Sequence, residues 1–168
     1  MVPAEFTGYF TAVAAAAGVL IGLLFVAVSL RPETVFGDTA SPVGRSRAGS
    51  AFTSLVNTFF VALVALIPQA NLGQVAIIMA VLSLIGIARL HRQVPRQEIQ
   101  AVLLVLGVGT YVYQLVAGVL LVINPKDRGQ IFAIAYVGIA SLAVALSRAW
   151  SLVQGKHLRP GTSASADE

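Results

Sequence analysis

The sequence predicts an all-α fold, a polytopic bundle of five transmembrane helices, and three observations carry that prediction. First, the chain of 168 residues is 57% apolar and only 11% charged, where an ordinary soluble domain carries about 25% charged residues. Second, the ionisable residues leave four long vacancies: 25 residues from Phe6 to Leu30, 41 between Arg47 and Arg89, 27 between Glu98 and Lys126, and 19 between Arg128 and Arg148. These vacancies make up 112 of the 168 residues, and the mean hydropathy of the chain is +0.85. Third, runs such as Val19 to Val26 show none of the alternation of a barrel strand. In lipid, backbone amides must be satisfied within the segment, so an unalternating apolar run is a helix. This balance excludes a water-soluble globule, a disordered chain and a fibrous protein.

The spans follow in order. A helix crosses a hydrocarbon core of roughly 30 Å in about 20 residues. The first span covers residues 6–30; its acidic start at Glu5 and its length argue for a retained helix over a cleaved signal peptide. The 41-residue vacancy would be about 60 Å long as one helix. Its middle, Pro68-Gln69-Ala70-Asn71-Leu72-Gly73-Gln74, reads as a turn. The vacancy therefore folds into two spans, 48–67 and 72–90, the latter with only a short purely apolar stretch, Val75 to Ile85. The fourth span is 101–123, with Pro95 and Glu98 suited to its first turn. The fifth is 130–152. The connection from Arg31 to Arg47 is interrupted by Pro32, Gly37, Pro42 and Gly44, which predicts irregular backbone. Residues 1–154 thus form one bundle, and 155–168 read as a disordered polar tail.

Basic residues in short loops set orientation. Nine of the eleven lie beside the first, third and fifth spans on their C-terminal sides, among them Arg45, Arg89 and Arg148. Only Lys126 and Arg128 lie on the other side. The bias predicts an outside N-terminus and a cytoplasmic C-terminus. Arg148 and Trp150 read as interface anchors at the inner end of the fifth span. The net charge of +4 suits anionic lipid, and no basic module interleaved with aromatics points to nucleic acid. The bilayer is the first expected partner, with a homo-oligomer or a larger membrane complex as the second.

Candidates for chemistry are few. The chain has no cysteine, hence no disulfide framework, thiolate zinc site or thiol nucleophile. The two histidines, His91 and His157, lack metal-ligand spacing. The carboxylates Glu5, Glu33, Asp38, Glu98 and Asp127 fall in loops or at span edges, so paired acid–base catalysis has no candidates. No enzyme activity, metal or cofactor is expected. What remains is small and polar. Ala14, Gly18 and Gly22 recur at four-residue intervals in the first span, a GxxxG pattern that permits close helix packing. The second span carries a polar seam of Ser50, Thr53, Ser54, Asn57 and Thr58. The fourth carries Gly107, Thr110, Tyr111, Gln114 and Gly118 on one face. Asn57 lies about 14 Å and Gln114 about 20 Å along their helices, both near the midplane. An unpaired amide in hydrocarbon costs several kcal/mol, so both are expected inside the bundle. Thr53, Asn57, Thr110 and Gln114 are expected to share one intramembrane polar cluster.

The first span, with its alanine-rich stretch followed by Gly22-Leu23-Leu24-Phe25-Val26-Ala27-Val28-Ser29, resembles the opening of a group of small actinobacterial membrane proteins. Some of that group are labelled modulators of the membrane protease FtsH. The resemblance covers about 25 residues and implies a bacterial inner membrane and no catalytic residue. The function these readings favour is a non-catalytic interaction or regulatory subunit. The alternative is a small oligomeric channel or passive transporter using the amides of the second and fourth spans.

Overall fold

A computed structural model of the chain describes residues 2–30, 42–91 and 98–154. A single 3-10 turn, Ala4–Phe6, leads into five helices: α1 (Thr7–Leu30), α2 (Pro42–Ala65), α3 (Leu72–His91), α4 (Glu98–Ile123) and α5 (Arg128–Gln154). All five are long and apolar enough to cross a membrane, and the described residues contain no strand. The fold is the predicted all-α transmembrane bundle.

The helices meet where their sequences are small. α2 packs against α1, α3 and α5, while α4 packs against α3 and α5. Four helices thus form a ring, with α2 and α4 on opposite corners and α1 laid against the outside of α2. Ala17, Ala51, Ala76 and Ala80 are fully buried between helices. Large apolar side chains such as Val19, Leu23, Phe25, Val105, Leu106 and Ile139 point outward. Lipid tails are as apolar as leucine, so close packing of small residues, and not removal of large ones from the surroundings, brings such helices together.

The tightest approach joins α3 to α4. A Cβ added at Gly73 would stand 2.7 Å from the Gly118 carbonyl oxygen, and one at Gly118 would stand 3.0 Å from that of Gly73. Below it Ala76, Ala80 and Ser83 continue the same buried stripe on α3. This contact secures the helix with the shortest purely apolar stretch. The turn before α3 is held by Asn71, whose Oδ1 accepts from the Gln74 N–H at 3.2 Å, and by Gln69, whose φ of 66° is left-handed. Asp127 caps α5 in the same manner, accepting from the Gly129 N–H at 2.9 Å.

Two expectations need correction. α2 begins at Pro42, so the stretch to Arg47, read as irregular, is helical; a proline at the first helical position lacks only an N–H that would have no partner there. The rest of that connection, Pro95 and the tail 155–168 lie outside the described residues. The GxxxG of α1 is only partly a packing face. Ala14 is buried, and a Cβ at Gly18 would meet the Phe59 ring at 3.4 Å, but nothing lies within 4 Å of one at Gly22. The buried stripe on α1 runs Phe10, Ala14, Ala17, Leu24, mixing steps of four and three. Two successive steps of four rotate about 80° off that stripe at 100° per residue, which turns Gly22 out of the contact.

Candidate functional site

The site is built from the polar faces of α2 and α4. These helices run in the same direction and oppose each other across the ring. Two rungs connect them, Ser54 to Tyr111 and Asn57 to Gln114, each joining residues 57 apart in sequence. Because residues three apart share a helix face, the common offset means that the two seams stand level, residue for residue. Ser50 then stands level with Gly107, and Thr53 with Thr110.

The upper rung is closed. Asn57 Nδ2 donates to Gln114 Oε1 at 2.9 Å, Gln114 Nε2 donates to Asn57 Oδ1 at 3.0 Å, and the same nitrogen donates to the Ala76 carbonyl at 3.0 Å. Both residues are 1% exposed. Both protons of the Gln114 amide are therefore committed, one to α2 and one to α3, so one side chain ties three helices. Above the rung lies a void of about 10 Å³ bordered by Tyr9, Thr58 and Gly138, the space of a single water molecule. The Tyr9 hydroxyl donates to the Ala135 carbonyl and fastens α1 to α5.

The lower rung differs. Ser54 Oγ lies 2.9 Å from the Tyr111 hydroxyl, and both residues are buried. Ser54 and Thr58 also bond back to the carbonyls of Ser50 and Ser54, each at 3.0 Å. The expected four-residue cluster divides here. Thr53 donates to its own helix at Gly49, 3.0 Å away, and Thr110 to Leu106 at 2.8 Å. Neither bonds to the amide pair. Each of these hydroxyls, on its short stem, is spent on the carbonyl one turn back, whereas the amides on longer stems cross the ring to each other. Thr53 and Thr110 instead line a second void of about 10 Å³, with Ser141, Tyr111 and Arg148.

The expected anchors also divide. Trp150 is 61% exposed, as an interface indole requires. Arg148 turns inward: a Cβ at Gly107 would stand 3.8 Å from its Nη2, and it borders the void just described. The cause is backbone geometry. Side chains on a helix lean toward its N-terminus, so an arginine near the C-terminal end of α5 leans into the bundle and away from the nearer surface. Sequence reasoning missed this direction, and it missed Ser141, whose buried Oγ lacks a hydrogen-bond partner. It also missed the Gly73–Gly118 contact. The signal for that contact was Gly73, Ala76, Ala80 and Ser83 at alternating steps of three and four.

The chain matches no protein-family model, no curated protein and no solved structure. The functional reading therefore rests on the chemistry of the seam itself.

Proposed function

We propose that the protein is a non-catalytic, membrane-embedded interaction or regulatory subunit of a bacterial inner membrane, with its N-terminus outside and its C-terminus in the cytoplasm. The observation that carries this reading is the closed amide rung. Its polar groups satisfy one another across the ring, and the voids above and below it each have room for about one water. Such an interior acts as a joint, and around the rung the described helices leave no more than these water-sized spaces. The nine-to-two distribution of basic residues supports the orientation. The resemblance of the first span supports the bacterial inner membrane as the setting.

Purification of the tagged chain from native membranes in mild detergent tests the reading. One stoichiometric partner is the expected result; a chain that emerges alone at every detergent strength speaks against it. The second reading, an oligomeric channel or passive transporter, draws on the polar seam and predicts solute flux into proteoliposomes. That flux must be abolished by Asn57→Leu or Gln114→Leu to be assigned to the seam.

A further inference from the structure

The crevice at the foot of the seam combines a charge, a set of oxygens and an unfilled space. Each hydroxyl has one proton to donate, and here most are committed. Thr53 donates to the Gly49 carbonyl, Ser54 to that of Ser50, and Thr110 to that of Leu106. Since Ser54 has used its proton, the bond between Ser54 and Tyr111 is donated by Tyr111. What these four side chains retain is lone pairs. The crevice is therefore lined by acceptors, which solvate a cation and repel an anion. Ser141 adds one more oxygen: it borders the void, is 3% exposed and has no hydrogen-bond partner. The Arg148 guanidinium borders the same void, and its Nη2 lies in van der Waals range of the Gly107 position.

We propose that this crevice is a site for one monovalent cation, and that the chain's own Arg148 guanidinium is its resident occupant. The arginine is a tethered plug at the foot of the seam. Withdrawing it leaves an oxygen-lined pocket for a free cation of the same kind, guanidinium first because its shape and donors match, then sodium or potassium. Quaternary ammonium ions such as choline, bulky and without N–H donors, do not fit. The proposal stands apart from the subunit reading, because it concerns what the crevice holds and not what the bundle binds.

The test uses the full chain in nanodiscs of phosphatidylcholine, with Tm measured at constant ionic strength while choline chloride is exchanged for guanidinium, sodium or potassium chloride at low millimolar levels. Arg148→Ala should melt below the wild type in choline, and guanidinium should restore most of the lost Tm saturably, while the wild type stays unmoved. Ser141→Ala placed on Arg148→Ala should weaken the guanidinium response several-fold. Where Arg148→Ala does not fold, Arg148→Gln and Arg148→Lys replace it: lysine, still a cation, should hold near wild-type Tm in choline and glutamine should not. A wild-type Tm for Arg148→Ala in choline overturns the proposal, as does equal rescue by every salt. So does Arg148→Lys melting with Arg148→Gln, or a wild-type Tm that responds to exchange of chloride for phosphate.

Discussion

Asn57 and Gln114 form a pair whose members are worth more together than apart. Removing one leaves the other buried without its partner, and a buried unsatisfied polar group costs about 1–3 kcal/mol. Interhelical hydrogen bonds in membranes average only about 0.6 kcal/mol each. Asn57→Leu and Gln114→Leu should therefore each lower bundle stability by about 1–2 kcal/mol. The double variant should be less destabilised than the sum of the two, because no amide is then stranded. Reversible unfolding in mixed micelles by steric trapping or SDS titration reads that coupling. Strict additivity would mean that the two amides do not act as a unit. Of the site residues, these two were the most legible in the sequence, because depth along a helix follows from counting and amide chemistry demands a partner. Arg148 was less legible: its distance from the interface favours an outward reach, while the lean of its Cα–Cβ bond takes it the other way.

At the scale of elements, the α3–α4 seam and the outer face of α1 predict opposite responses to the same change. Gly73→Ala places a methyl 2.7 Å from a backbone oxygen that has no soft side chain to move aside. The two helices must separate, at a cost of about 1–3 kcal/mol typical of overpacking. Gly22→Ala meets nothing within 4 Å and should leave stability unchanged or slightly improved through helix propensity. Thermal melts of the two variants in one detergent decide this; equal losses would mean that α1 packs against something at Gly22 after all. The pattern of helices was readable because charge vacancies report immersion directly. The face each helix presents was not, because in lipid both sides are apolar and the hydrophobic contrast that marks a core in water is missing. Small-residue spacing is the remaining signal, and it singles out a true contact only when followed at mixed steps of three and four.

For the whole molecule, five crossings place the two ends on opposite sides of the membrane. Reporter fusions, one active only in the cytoplasm and one only outside, should each work at one terminus alone, with the C-terminus cytoplasmic. Activity of one reporter at both ends would remove the five-span fold, and the reverse assignment would remove only the orientation.

The offset between the two halves of the upper rung has a consequence for how the chain is made. Asn57 and Gln114 are 57 residues apart, and at about 5–20 residues per second a ribosome takes roughly three to eleven seconds to bridge that interval. α2 is finished and all of α3 is made within it, and until its end the α2 amide has no Gln114 to meet. The nascent hairpin must shelter that group against the insertion machinery, a chaperone or a trapped water until α4 arrives. A chain cut short before Gln114 keeps the exposed amide for good, which is a chemical mark by which membrane quality control can tell an unfinished copy from a finished one.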